Sequence, residues 1–199
     1  MRYVPFMKKR CEILQPNTDT VEQLLKVIKC SPIFASILVN RGMASPEDIS
    51  DFLNPSLNLL RPPFCIKDIN IAVQRIYKAI KDNEKLLIFG DYDVDGVTAT
   101  TILYQFFCYV GIDVSYYVPH RLTEGYDLQV THIREHALAN RIKLIITVDC
   151  GSNSHEAVQA ANKVGIDVII TDHHKISRPS PPALAIINPN QPDCPAGFE

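Results

Sequence analysis

The chain lacks the marks of several large protein classes. No apolar run approaches the ~20 residues that a membrane span requires, and the N-terminal MRYVPFMKKR has no apolar core for export. The six cysteines, at 11, 30, 65, 108, 150 and 194, include no pair with the two-residue gap of a zinc knuckle or a redox motif. They read as reduced thiols of a cytoplasmic protein. An excess of basic charge is missing too. Lys and Arg number 20 against 22 Asp and Glu, a formal net charge of -2, which excludes the overall footprint of a general nucleic-acid binder. The longest basic run, Lys8-Lys9-Arg10, reads as a solvated terminal patch. There is no repeat of fixed period, and the only biased stretch is the proline-rich piece around Pro179, Pro181 and Pro182, expected to be a surface loop.

What is present suits a folded core. Of the 199 residues 46% are hydrophobic and 21% charged, which argues for one ordinary domain with a smaller appendage and against disorder. The first 64 residues read as helical. Thr18 or Asp19 can cap a segment through Val21, Leu24, Leu25 and Ile28. Ser31-Pro32 opens a second helix, over Ile33 to Asn40, that Gly42 stops. Ser45-Pro46 opens a third, which ends near Leu53 before Asn54-Pro55. Residues 54–64 hold three prolines and read as a linker.

From residue 65 onward strands and helices alternate. Asp68 is expected to cap a helix through Ile71, Ile76 and Ile80. Strands are expected at 85–89, 114–118, 144–148, 168–171 and 184–187, with helices at 97–110, 131–140 and 155–164 between them. This order predicts an α/β fold: a parallel sheet of about five strands, joined by right-handed crossovers, with helices on both faces. The fully apolar Leu-Ile-Ile-Thr-Val suits a sheet covered on both sides.

Three of the strands run out into acids or imidazoles: Gly90-Asp91-Tyr92-Asp93-Val94-Asp95-Gly96, Val148-Asp149-Cys150-Gly151 and Thr171-Asp172-His173-His174. In open parallel sheets ligands bind beyond the carboxyl ends of the strands, so the three clusters belong on one rim. Carboxylates crowded near a core repel one another and need a counter-charge. A divalent cation supplies it, and oxygen donors with imidazole suit Mn²⁺ or Mg²⁺, the imidazole favouring Mn²⁺. Two such ions, roughly 3.5–4 Å apart, would clamp the reacting oxygens of a phosphoester. Singly, each motif has a plainer reading. Asp149 suits a helix cap, and the paired histidines suit surface or core. The Asp-x-Asp-x-Asp-Gly turn is not a calcium loop, because Ile102 stands where that loop needs glutamate. His155 reads as a capping or packing residue. His132 and His136 lack the glutamate of a zincin helix and read as surface residues. Tyr92, Tyr126 and Phe107 are available for base stacking but read as core or loop packing.

Together, GDYDVDGVTAT (90–100), VDCG (148–151) and TDHH (171–174) resemble the first three motifs of the DHH phosphoesterase superfamily. PHRLTEGYDL (119–128), INPNQPDCP (187–195) and the N-terminal LVNRGMASPEDISDFLNPSL (38–57) narrow the resemblance to the RecJ family of single-strand-specific DNA exonucleases. The resemblance covers nearly the whole chain. It implies a manganese- or magnesium-dependent enzyme, with two ions, that removes nucleotides from the 5′ end of single-stranded DNA in repair and recombination. It implies a single-strand-binding protein or a helicase as partner, and no membrane. Carried over by position, Asp93, Asp95, Asp149 and His173 are metal ligands, and Asp91 is a ligand or supports one. Asp172 orients the neighbouring imidazole, His174 contacts the scissile phosphate or helps the leaving group, and Arg121 binds a substrate phosphate, a task that suits its planar fork.

The chain departs from that family at three places. Asp127 stands where glycine usually follows Glu-Gly-Tyr, and Cys11 where tryptophan is frequent near the Lys-Lys-Arg start. The chain also ends soon after Asp193-Cys194-Pro195, where the family continues to a fourth motif with a further metal-binding aspartate. The expected division is therefore a helical segment and linker over 1–64 and a DHH domain over 65–199, incomplete at its C-terminus and weak or inactive alone. Two other readings stay open: a DHH hydrolase of short oligonucleotides, cyclic dinucleotides or pyrophosphate, and a truncated non-catalytic module that binds metal or nucleic acid.

Overall fold

The computed structural model describes residues 12–177 and 179–196. The Lys8-Lys9-Arg10 patch and Cys11 lie outside them. The chain divides into two compact units between Leu60 and Arg61.

The described residues of the first unit form three helices, α1 (Thr18–Val27), α2 (Pro32–Asn40) and α3 (Pro46–Leu53). Each begins at a side-chain cap. Ser31 and Ser45 accept the N–H groups of Phe34 and Asp48, and the prolines that follow them sit in the first turn, where no N–H is needed. The cap of α1 is Asn17, one residue before the expected Thr18 or Asp19, and its side chain accepts the Thr20 N–H at 3.0 Å. Gly42 ends the α2 turn at φ +83°. Leu24, Leu38 and Ile49 form the small core. The expected linker is two short 3₁₀ turns, Leu57–Leu59 and Pro63–Cys65.

The second unit is the expected α/β layer structure. Five strands, β1 (Leu86–Gly90), β2 (Val114–Tyr117), β3 (Leu144–Val148), β4 (Asp167–Thr171) and β5 (Ala185–Ile187), form one parallel sheet in the order β2-β1-β3-β4-β5. β1 and β3 are buried at every residue, which is why they read as unbroken apolar runs. Alternate strand residues feed two cores. Leu86, Ile88, Ile146 and Ile169 pack with Ala72 and Ala79 of α4 (Ile69–Lys81) and Phe107 of α5 (Val94–Tyr109). Leu87, Phe89, Ile145 and Ile170 pack on the other face. Their partners there are Ile133 and Ala137 of α6, one α-helical turn (Val130–His132) that continues as π-helix (Ile133–Leu138), and Val158 and Ala161 of α7 (His155–Lys163). Each such fully buried aliphatic side chain contributes roughly 1.5–3 kcal/mol. No helix among the described residues is long and apolar enough to cross a membrane.

Several local expectations are corrected. Asp68 stands before α4 but does not cap it. It adopts φ +64°, and its carboxylate accepts the Ile186 N–H of β5 instead. His132 and His136 are not surface residues. His132 is buried, and the ring of half-buried His136 lies 4.2 Å from that of Tyr117. Pro181, within the expected surface loop, is buried as well. Away from the site, at the amino-terminal ends of the strands, Arg75 bridges Glu84 at 2.7 Å and Asp167 at 2.6 Å.

Candidate metal centre

The strand order places a topological switch point between β1 and β3. The chain leaves β1 through α5 toward one edge of the sheet and leaves β3 through α7 toward the other. The crevice beyond the carboxyl ends of these two strands is where such sheets bind ligands. Asp91 follows β1 and Asp149 follows β3, so the order of the strands alone brings the two acids together.

The β1 turn is drawn tight against α5. Asp93 caps that helix, its carboxylate accepting the Gly96 N–H at 3.0 Å. A Cβ on Gly96 would lie 2.4 Å from the Asp91 carbonyl oxygen, so only glycine lets the helix seat here. The Gly96 N–H also holds the Asp93 carboxyl below its usual range. Asp91 behaves oppositely: burial pushes its carboxyl up. On the β3 side, Asp149 adopts φ +60° and Gly151 φ +104°. Burial, and then the adjoining Asp93 carboxyl through direct contact and charge, push Asp149 up. Two carboxylates share one site, one favouring its charge and the other resisting it.

Both histidines come from the loop after β4. His173 Nε2 lies 3.0 Å from Asp149 Oδ1. Asp172 is buried, and its Oδ1 accepts the N–H groups of His173 and His174 and lies 2.8 Å from His174 Nδ1. Burial would raise Asp172, but hydrogen bonds from Ser152 and His174 outweigh it and hold the carboxyl low. The same contact raises His174. The Asp172 carboxylate thus pairs with the His174 ring, a contact that assigns the imidazole proton to Nδ1.

Two groups of donor atoms result, Asp91–Asp93–Asp149 and Asp149–His173–His174, the atoms of each within 4.8 Å of one another. Asp149 belongs to both. One oxygen of Asp91 and both oxygens of Asp149 are buried without a hydrogen-bond donor; the His173 approach lacks hydrogen-bond alignment. Buried carboxylate oxygens left unpaired are costly, and carboxylates with imidazole form a donor set that fits a divalent cation. Asp95 is in neither group. Helix α5 starts at Val94, three residues before the expected Val97, so Asp95 falls in its first turn and is exposed. An acid there suits the positive end of the helix dipole.

Arg121 is exposed, its guanidinium carbon 5.1 Å from the centre of the Tyr92 ring, between Asp91 and Asp93 in sequence. Tyr126, expected to be packing, donates its hydroxyl to the Asp149 carbonyl at 3.2 Å and sets its ring edge-on to His174. Sequence reasoning gave no role to Asn188 and Asn190. Asn188, fully buried, donates to Ser152 Oγ and to the His174 carbonyl, both at 2.9 Å, and Asn190 donates to the His173 carbonyl. Their signals were their place just after β5, beside the other strand ends, and their membership of the INPNQPDCP segment.

The pattern described as the DHH family, N-terminal domain, matches residues 85–199. This chain belongs to the DHH family. Among curated DHH proteins, it is 37% identical over 195 residues to the single-stranded-DNA-specific exonuclease RecJ of Bacillus subtilis, an alignment covering 96% of this chain and 24% of that protein. It is 33% identical to RecJ of Salmonella typhimurium, over 94% of this chain and 32% of the other. The chain therefore spans about a quarter to a third of the length of these relatives. Among solved structures, it is similar to an exonuclease RecJ bound to manganese, with TM-score 0.61 and 33% identity over 67% of this chain and 34% of the other. It is also similar to RecJ from Thermus thermophilus in complex with Mn²⁺, with TM-score 0.63 and 28% identity over 90% of this chain and 24% of the other.

Proposed function

We propose that this chain carries the metal-binding rim of a nuclease that hydrolyses phosphodiester bonds in single-stranded DNA, working from the 5′ end, as a cytoplasmic enzyme of DNA repair and recombination. The observation that carries the reading is the convergence of buried, donor-less oxygens of Asp91 and Asp149 with Asp93, His173 and His174 at the switch point. The named activity and bound manganese of the RecJ relatives support it.

Asp91, Asp93, Asp149 and His173 would hold Mn²⁺ or Mg²⁺, with Asp149 shared between two ions and Asp95 available from the first turn of α5. When bound, the metal supplies Lewis-acid polarisation of the phosphoryl oxygen and a more acidic attacking water. The side chains do the rest. Asp172 favours the protonated form of His174, which suits contact with the scissile phosphate or proton delivery to the leaving oxygen. Arg121 offers a bidentate fork to a neighbouring phosphate. The helical segment up to residue 64 is read as an appendage to the DHH domain that follows. A single-strand-binding protein or a helicase is the partner class that the resemblance implies.

The test is a comparison of substrates by the complete protein with Mn²⁺. Single strands labelled at either end, duplex DNA, dinucleotides and pyrophosphate are incubated with wild type and Asp93→Ala. The expected result is stepwise loss of nucleotides from the 5′ end of single strands, abolished by the substitution. Turnover of duplex alone, or only of dinucleotides or pyrophosphate, would contradict the reading.

A further inference from the structure

Asp127 adopts φ +76°, a left-handed conformation that glycine reaches freely and other residues reach at a cost. The backbone alone favours glycine here, and an aspartate adds a carboxylate that glycine lacks. Oδ1 accepts the Gly151 N–H at 2.6 Å and its neighbour's Leu128 N–H at 3.1 Å. The residue before it also reaches the same turn, with the Tyr126 hydroxyl on the Asp149 carbonyl. Two adjacent side chains thus grip the turn after β3 at both ends, 126 on residue 149 and 127 on residue 151.

That turn needs gripping. Asp149 and Gly151 both have positive φ, at +60° and +104°, and the intervening Cys150 is buried, its thiol 3.7 Å from the Phe89 carbonyl. The Asp149 carboxylate points into a buried site where neither oxygen has a hydrogen-bond donor. His173 Nε2, 3.0 Å from Oδ1, meets only one of the two oxygens and from an exposed ring, so the backbone turn sets the direction of the carboxylate. A hydrogen bond from an N–H to an ionised oxygen is short and strong, and it restrains the turn more firmly than a neutral acceptor would.

We infer that Asp127 is a positioning residue, whose carboxylate locks the 149–151 turn so that Asp149 presents both oxygens to the divalent cation. The inference rests on the reading of the rim as a metal centre, and it assigns Asp127 no contact with the ion.

The experiment measures Mn²⁺ affinity by electron paramagnetic resonance of the free ion, together with the thermal midpoint of the metal-free protein, for wild type, Asp127→Gly and Asp127→Asn. Glycine removes the acceptor while tolerating the backbone conformation, so the midpoint should stay within about 2 °C, whereas Mn²⁺ affinity should fall about tenfold, as for other residues that support a ligand. Asparagine restores a side-chain oxygen acceptor and should bring the affinity back to within about threefold of wild type. Wild-type affinity in Asp127→Gly would overturn the inference while leaving the metal centre intact. So would a parallel loss of affinity and midpoint that asparagine does not rescue, which marks a role in folding alone. Absence of Mn²⁺ binding in the wild type would overturn the metal-centre reading and this inference with it.

Discussion

At the scale of single residues, Asp149 concentrates the chemistry. It is 8% exposed, and its two oxygens lack donors. In the metal-free protein such a carboxylate is a liability, because its charge is desolvated and faces Asp93. Asp149→Asn removes the charge and keeps the shape. It should raise the thermal midpoint in a chelator by roughly 2–4 °C and abolish the rise that Mn²⁺ gives to wild type. Melting curves with and without Mn²⁺ check this; a lower midpoint with the metal response retained would contradict it. At this scale the convergence of Asp91, Asp93, Asp149, His173 and His174 was legible in the sequence, because all five follow strands of one parallel sheet. The start of α5 was misplaced because a helix start cannot be fixed to the residue from apolar periodicity; Asp93 caps the helix three residues early, which puts Asp95 in its first turn. Asn188 and Asn190 were illegible as site residues because they act on backbone carbonyls from a strand distant in sequence.

At the scale of elements, α6 departs most from expectation, and His132 shows why. Its Nδ1 accepts the Gln129 N–H at 3.0 Å, closing the start of the helix, and its Nε2 lies 3.2 Å from Glu124. Both contacts suit a neutral ring with its proton on Nε2; a second proton would displace the Gln129 bond. Burial lowers the affinity of His132 for that proton. Native His132 thus binds a proton more weakly than the unfolded chain does. Its contribution to stability is complete above the ordinary value of 6.5 and is lost as pH falls through the lower folded value. His132→Gln can keep both hydrogen bonds without titrating. Between about pH 7.5 and about pH 5.5 the wild-type midpoint should drop by roughly 2–4 °C more than that of the variant. Parallel pH curves would contradict the assignment. The helical period of this segment was readable. That its histidines face inward was not, because polar residues at i, i+4 look the same whether they meet solvent or a half-buried glutamate and tyrosine. Glu124 also accepts the Tyr117 hydroxyl at 2.6 Å, and that contact pushes the phenol up to about 12.

At the scale of the whole molecule, the α/β unit separates stability from chemistry. The Arg75 bridges with Glu84 and Asp167 lie by the amino-terminal ends of the strands, and every candidate ligand lies beyond the carboxyl ends. The alternation of strands and helices announced this layer structure, and the apolar runs of β1 and β3 are strands covered on both faces. The strand order was not readable, because the crossovers of β1 to β2 and of β3 to β4 look alike in sequence, and only the pairing of β1 with β3 creates the crevice. On the proposed reading this crevice holds two divalent ions that share Asp149. Anomalous diffraction at the manganese edge, from crystals grown with Mn²⁺, tests it most directly. Two peaks are expected, roughly 3.5–4 Å apart, one against Asp91, Asp93 and Asp149 and one against Asp149 and His173. An empty crevice at saturating Mn²⁺, or manganese bound only elsewhere on the molecule, would contradict it.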